Sequence, residues 1–277
     1  MSEALDRAAE LIAGAQALLV CAGAGMGVDS GLPDFRGDDG FWRAYPPYQR
    51  LGLRFVELAD PVHFTRDPEL AWGFYGHRLD LYRTTAPHGG FDVLRRWGAS
   101  TPGGMRVFTS NVDGHFQRAG FDQEHVAEVH GSIHHLQCAE PCRDAIWPAD
   151  GLTVSVNMDT MCATGTLPTC SACGGLARPN ILMFGDYGWV SRRSARILDA
   201  LAEWRRGFGG DRLVVLEVGA GTGVPTVRRQ AELASAAGGT LIRINPREPE
   251  VRHGRGVSLA MTAAAALSEL DERITGS

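Results

Sequence analysis

Lysine is missing altogether: all 27 basic residues of the chain are arginine. The protein therefore carries no side-chain amine of its own that could be modified. A surplus of positive charge is missing too, because 32 acidic residues outweigh the arginines and the formal net charge is −5 at pH 7. That balance leaves no basic footprint for nucleic acid. No stretch approaches the ~18–20 apolar residues that a membrane span needs. Met1–Glu10 is acidic and polar, without the basic start and apolar run of an export signal. The expectations are a cytoplasmic location and no nucleic-acid or membrane partner. Internal repeats and low-complexity segments are absent. Cysteine is scarce, six in 277 residues, and four of the six sit in two close pairs rather than spread as a disulfide framework.

What is present is enough for a large core. Hydrophobic residues make up 44% of the chain, and its length fits one large domain with a smaller inserted module. Leu5 to Gln16 alternates apolar and polar residues at helical spacing, Ala17 to Cys21 is a short apolar run, and a glycine-rich turn follows, Gly23-Ala-Gly25-Met-Gly27. Further apolar runs at Met105–Thr109, Ile181–Phe184, Leu213–Val218 and Thr240–Ile244 are continuous rather than alternating, the pattern of parallel strands buried on both faces. Helical segments separate several of them, notably Val190–Trp204 and Pro225–Ala237. The chain reads as an α/β fold, a Rossmann-like doubly wound parallel sheet with a smaller inserted helical and zinc-binding lobe. The expected large lobe takes residues 1–37, 84–133 and 180–277. The small lobe takes the aromatic-rich helical stretch 38–83 and the cysteine-bearing stretch 134–179.

The cysteine pairs are C-x3-C at Cys138 and Cys142 and C-x2-C at Cys170 and Cys173, with 27 residues between them. Two close pairs suit one tetrahedral structural zinc per chain with four thiolate ligands. Cys162 is the spare candidate, and Cys21, at the end of the first strand, reads as packing.

The glycine turn alone leaves two readings open. Gly23, Gly25 and Gly27 allow the backbone to approach a pyrophosphate. The usual G-x-G-x-x-G spacing fails, however, because Ser30 occupies the sixth position counted from Gly25. The longer string Gly23-Ala-Gly-Met-Gly-Val-Asp-Ser-Gly-Leu-Pro-Asp-Phe-Arg-Gly37 is what resembles a known signature, that of the sirtuins. Blocks similar to theirs follow in order: Thr109-Ser-Asn-Val-Asp113, His130-Gly131, the cysteine pairs, Arg178-Pro-Asn-Ile-Leu-Met-Phe-Gly-Asp186 and Ile244-Asn-Pro-Arg-Glu248. The resemblance spans roughly residues 15 to 250.

The resemblance implies NAD as a co-substrate and an acyl-lysine protein or peptide as partner. Gly23, Ala24, Gly25, Asp34, Phe35 and Arg36 are then expected around the pyrophosphate and nicotinamide ribose. Ser110, Asn111, Val112 and Asp113 are expected at the nicotinamide. Gly219, Gly221, Asn245 and Glu248 are expected elsewhere along the dinucleotide, and Phe184 and Gly185 at the substrate. His130 is the expected general base, a role that suits a side chain titrating near neutrality; Asn111 and Asp113 complete the catalytic set. The implied reaction displaces nicotinamide with the acyl carbonyl oxygen and ends in lysine, nicotinamide and O-acyl-ADP-ribose.

The chain also departs from the family pattern. Ser110 replaces a glutamine, Gly27 a serine and Asp186 a glutamate, and Gly219-Ala-Gly-Thr222 stands where G-T-S is usual. Ser110 and the altered Gly219 block keep one alternative open, an ADP-ribosyltransferase or NAD hydrolase using the same pocket; His130 with Asn111 and Asp113 argues against another, an NAD-binding module without catalysis. One more pair carries an expectation. Tyr75 and Arg78, spaced Tyr-x-x-Arg on a predicted helix, resemble a pair in sirtuins that prefer acidic acyl groups such as succinyl or malonyl. Arginine offers a fork for a carboxylate and tyrosine a hydroxyl donor.

Overall fold

A computed structural model describes residues 2–33, 37–208, 212–236, 238–252 and 256–276. In chain order its helices are α1 (Ser2–Ala13), α2 (Gly25–Val28), α3 (Gly37–Ala44), α4 (Pro46–Arg50), α5 (Phe55–Leu58), α6 (His63–Arg66), α7 (Pro68–Thr84), α8 (Gly89–Ser100), α9 (His115–Arg118), α10 (Arg192–Arg206), α11 (Thr226–Ala236) and α12 (Ala263–Thr275). Its strands are β1 (Ala17–Ala22), β2 (Met105–Thr109), β3 (Val126–Glu128), β4 (Gly131–Cys138), β5 (Ile146–Pro148), β6 (Ser155–Asn157), β7 (Cys162–Thr164), β8 (Ala177–Ile181), β9 (Leu213–Val218), β10 (Thr240–Ile244) and β11 (Gly256–Leu259).

Six strands form one sheet in the order β11-β10-β9-β1-β2-β3, and every pairing in it is parallel. The side chains of β1 divide between its two faces as a pleat requires. Leu18, Val20 and Ala22 join a core with α1, α8 and α12 through Leu5, Leu94 and Leu267. Ala17, Leu19 and Cys21 join a second core with α10 and α11 through Ile197, Leu201, Val227 and Ala231. Burial on both faces is why β1 is apolar at all six positions. The doubly wound expectation therefore holds.

A third core lies away from this sheet. It gathers Phe41, Tyr48, Phe64, Trp72, Phe74 and Tyr75 from α3, α4, α6 and α7 around Ile133, Leu136 and Met161. α7 starts on Pro68 behind the Asp67 cap, whose Oδ1 accepts from Leu70 N at 3.1 Å. It is buried on most sides because the β6–β7 hairpin lies directly on it. A Cβ at Gly73 would come within 1.9 Å of Met161 O, so the close approach requires glycine there.

One expected strand is corrected. Ile181–Phe184 is not a strand of the parallel sheet. The strand is Ala177–Ile181, antiparallel to β4 in a separate three-stranded sheet ordered β5-β4-β8. Its residues Arg178 and Asn180 are fully buried although polar, so an apolar count misses it. Strands β3 and β11 also belong to the large sheet without having been expected. Among the described residues, no helix is long and apolar enough to cross a membrane.

Candidate functional site

The C-terminal ends of the parallel strands bring the singled-out residues together, as open α/β sheets do for ligand sites. The glycine turn leaves β1 and meets the turn that leaves β9: Gly25 N donates to Gly219 O at 3.0 Å, and Gly23 N to Val218 O at 2.9 Å. A Cβ at Gly23 would come within 2.8 Å of the Ala220 backbone, and one at Gly219 within 2.5 Å of Gly25. These contacts, together with the φ of 62° at Gly219, explain the glycines physically.

The loop after β2 is tied to the same turn. Thr109 Oγ1 donates to Ala22 O at 2.9 Å and accepts from Asn111 N at 3.0 Å. Asn111 Nδ2 donates to Gly23 O at 3.0 Å, which leaves its Oδ1 as the group to offer a ligand. Asp113 is buried, and one carboxylate oxygen accepts from His115 N at 2.8 Å. Val112 is buried, and its carbonyl accepts from Ile133 N, while Ser110 N donates weakly to Ala22 O at 3.3 Å.

His130 follows β3 and is half-buried; burial lowers the pKa of its imidazole, which favours the neutral ring. The glycine after it is obligatory. Gly131 has φ 78°, and a Cβ there would lie 2.0 Å from Asn180 O. The same contact draws the next segment in, since Leu182 N donates to His130 O at 2.9 Å. Phe184 and Gly185 follow. Phe184 is exposed, donates its N–H to Ala59 O at 2.9 Å and meets Phe55 edge-on at 6.2 Å. Asp186, the shortened acid, loses nothing by its length. Arg178 clasps it with Nη1–Oδ2 at 2.7 Å and Nη2–Oδ1 at 2.8 Å, and both side chains are inaccessible.

On the loops that leave β9 and β10, Asn245 Nδ2 donates to Ala220 O at 2.8 Å, and Thr222 Oγ1 donates to Glu248 Oε1 at 3.0 Å. Gly221 lies between them on the same loop. Asp34, Phe35 and Arg36 fall outside the described residues.

Tyr75 and Arg78 lie in the aromatic core and both are buried. Arg78 donates from Nε and Nη2 to the Tyr82 hydroxyl at 3.1 and 2.7 Å, and its guanidinium lies 5.1 to 5.9 Å from the rings of Phe74, Tyr82, Tyr75 and Phe55. Among the described residues the buried Tyr75 hydroxyl has no hydrogen-bond partner, and burial raises its pKa.

The four expected cysteines converge. The Sγ atoms of Cys138, Cys142, Cys170 and Cys173 all lie within 4.8 Å of one another, with Cys138–Cys173 at 3.6 Å and Cys142–Cys170 at 3.8 Å. Thiolates about 2.3 Å from a tetrahedral zinc stand about 3.8 Å apart, so the set fits that ion. The amides of Ala172 and Cys173 pull the Cys170 thiol down to about 7, toward the thiolate a metal needs. Cys162 sits on β7 outside the group, and Cys21 is buried in the sheet.

Two residues were not singled out from the sequence. His134 Nε2 bonds to Asp113 O at 2.8 Å, and a Cβ at Gly114 would touch the His134 ring at 2.6 Å, so this histidine sets the Asp113 turn. Arg178 fixes the Phe184 loop through Asp186. Both depend on contacts across the fold, which no local pattern marks.

This arrangement defines a class: a Rossmann-like sheet whose strand ends carry a glycine turn, an Asn–Asp loop and a histidine, together with a group of four cysteines suited to a structural metal. The Sir2 family model matches residues 23–201. The chain is 30% identical to NAD-dependent protein deacylase 1 of Pseudomonas aeruginosa, covering 95% of this chain and 96% of the relative. It is 29% identical to the Archaeoglobus fulgidus protein of the same description over 96% of each. Among solved structures, a Sir2 homologue in complex with NAD superposes with a TM-score of 0.75 at 26% identity, over 98% of this chain and 93% of that one. The chain belongs to the Sir2 family.

Proposed function

We propose that this chain is an NAD-dependent protein deacylase that moves the acyl group of an acyl-lysine onto the ribose of NAD and releases nicotinamide. The observation that carries the reading is the meeting of His130, Asn111, Asp113 and the Gly23–Gly25 turn at one end of the sheet. The relatives' printed activity and the NAD-bound Sir2 homologue point the same way.

Each residue has a task in this reading. The amides and close backbone of the Gly23–Gly25 turn face the pyrophosphate. Asn111 Oδ1 and the second oxygen of Asp113 accept from the nicotinamide carboxamide, and their hydrogen bonds to Gly23 O and His115 N hold them ready. His130, whose neutral form burial favours, takes the proton from a ribose hydroxyl. Phe184 and Gly185 line the approach of the acyl-lysine. Zinc would be held by Cys138, Cys142, Cys170 and Cys173, where it supplies a cross-link rather than chemistry. We divide the molecule into the two lobes set out from the sequence, with the substrate entering between them.

The preferred acyl group on this reading is acidic. What supports it is a buried cation, Arg78, three residues along α7 from Tyr75, whose buried hydroxyl has no partner among the described residues. Phe55 touches both Arg78 and Phe184, linking this pair to the substrate loop.

Mass spectrometry of products from NAD and a panel of acyl-lysine peptides tests the proposal. O-acyl-ADP-ribose is the expected product; free ADP-ribose or a gain of ADP-ribose on the peptide would replace deacylation with hydrolysis or transfer. His130→Ala is expected to lower turnover by about 10²- to 10⁴-fold while NAD still binds. Equal turnover by variant and parent removes His130 from the base role.

A further inference from the structure

Glu217 is a fully buried carboxylate on β9. Its neighbour in register on β10 is Arg243, which clasps it with Nε–Oε1 at 2.7 Å and Nη2–Oε2 at 2.8 Å. That pair is already complete, yet a second guanidinium approaches it. Arg228, in the first turn of α11, places Nε 3.5 Å from Glu217 Oε1. A cation in a first helical turn opposes the helix dipole, so something else must favour its position. Its Nη2 supplies the reason. It donates to Ala220 O at 3.0 Å and to Glu248 O at 2.9 Å, and lies 3.8 Å from Glu248 Oε2.

One side chain thus bridges the two loops that leave β9 and β10. The first loop, Gly219–Thr222, is held from the other side by Asn245 Nδ2 on the same Ala220 carbonyl. The second presents the Glu248 carboxylate, whose other oxygen accepts from Thr222. A carboxylate beside a strand end is the group that Rossmann-like folds set against a ribose diol. Held by Arg228 at both its carbonyl and its carboxylate, Glu248 is preorganised for that contact.

We propose that Arg228 is a positioning residue for the adenosine-side half of the dinucleotide, aligning the Gly219–Thr222 and Glu248 loops and so setting affinity for NAD without taking part in acyl transfer. This inference rests on the reading above that those loops hold NAD.

The test measures steady-state kinetics and ADP-ribose binding by calorimetry for Arg228→Gln and Arg228→Lys. For Arg228→Gln the KM for NAD is expected to rise about tenfold. The Kd for ADP-ribose should weaken by the same factor, equivalent to about 1.4 kcal/mol. The kcat at saturating NAD and the KM for the acyl peptide should stay at the parent values. Arg228→Lys keeps a charge that reaches Glu217 or one carbonyl but not both loops, and is expected to fall between parent and Arg228→Gln. A lowered Tm with unchanged KM for NAD in both variants makes Arg228 merely structural and overturns the proposal. Should Arg228→Gln fail to fold, Arg228→Lys decides alone: a KM for NAD equal to the parent's overturns it. If the parent itself does not bind ADP-ribose, the NAD reading fails and the inference falls with it, a result distinct from parental binding that the variants leave unchanged.

Discussion

Two buried arginines teach different lessons. Arg178 is inaccessible and meets the equally inaccessible Asp186 through two parallel hydrogen bonds. Its charge is neutralised within the fold, and the pair acts as a strut for the loop carrying Phe184 and Gly185. Arg78 is nearly as buried, but it meets the neutral Tyr82 hydroxyl and the faces of four aromatic rings. Ring faces attract a cation. The first arginine is a structural element; the second is the one that the proposed acidic preference requires to meet an arriving carboxylate.

The comparison is broken most sharply at Arg178. Arg178→Met leaves Asp186 buried and unpaired, and the expected loss is about 3–5 kcal/mol of stability by urea denaturation. Whatever activity survives should fall equally on acetyl- and succinyl-lysine, because the strut positions the loop and does not read the acyl group. Combining it with Asp186→Leu removes the orphaned charge and is expected to recover much of the stability. A selective loss on one acyl group would erase the distinction between the two arginines.

Metal removal asks whether the strut or the cysteine module holds that loop. Gln137 lies next to Cys138 on β4 and binds Val190 N and Gly188 O, just beyond Asp186. Chelation or Cys173→Ser is therefore expected to loosen 186–190 as well as the cysteine module, since structural zinc contributes folding free energy directly. One zinc per chain by metal analysis, and faster amide exchange at Gly188 and Val190 on its removal, check this. Exchange unchanged at those amides would assign the loop to Arg178 and Asp186 alone.

The smaller effect lies at Arg78. A charge-assisted hydrogen bond to a carboxylate is worth about 1.5–3 kcal/mol, or roughly ten- to a hundredfold. Arg78→Met is expected to lower kcat/KM for succinyl-lysine by that factor and to spare acetyl-lysine. If both fall alike, Arg78 is another strut.

How much of this was legible depended on where each residue finds its partners. The large sheet could be read because its central strands are buried on both faces and mostly apolar, β1 at all six positions and β9 at five of six. β8 could not, because Arg178 and Asn180 are buried polar residues that bond to Asp186, Gln137 and Val190 O, contacts that no local pattern encodes. In the candidate site, the glycines and His130–Gly131 were visible as strings. Their reasons, a carbonyl 2.0 Å from a would-be Cβ at Gly131 and the meeting of two turns at Gly23 and Gly219, belong to the fold. His134 and Arg228 act through backbone carbonyls of distant loops, so nothing in the spacing marked them.

The finest distinction between the two arginines rests on Tyr75, because its hydroxyl bears on stability and on specificity in opposite directions. A buried hydroxyl without a hydrogen bond costs the folded state about 1–3 kcal/mol of unrecovered desolvation. Tyr75→Phe removes that oxygen while keeping the ring that stacks on Phe64 at 5.7 Å. The variant is therefore expected to be at least as stable as the parent, with Tm unchanged or raised by a few degrees. If the hydroxyl is held in reserve for a carboxylate, the same change should raise the KM for succinyl-lysine by about two- to tenfold, the worth of one hydrogen bond of about 0.5–1.5 kcal/mol. Acetyl-lysine, which brings no carboxylate, should be processed as before. A gain in stability paired with a selective loss of function is the mark of a group kept for a ligand. A stabilised Tyr75→Phe enzyme that handles both substrates like the parent would leave Tyr75 as an imperfection of the aromatic core, and Arg78 would have to carry any acidic preference without it.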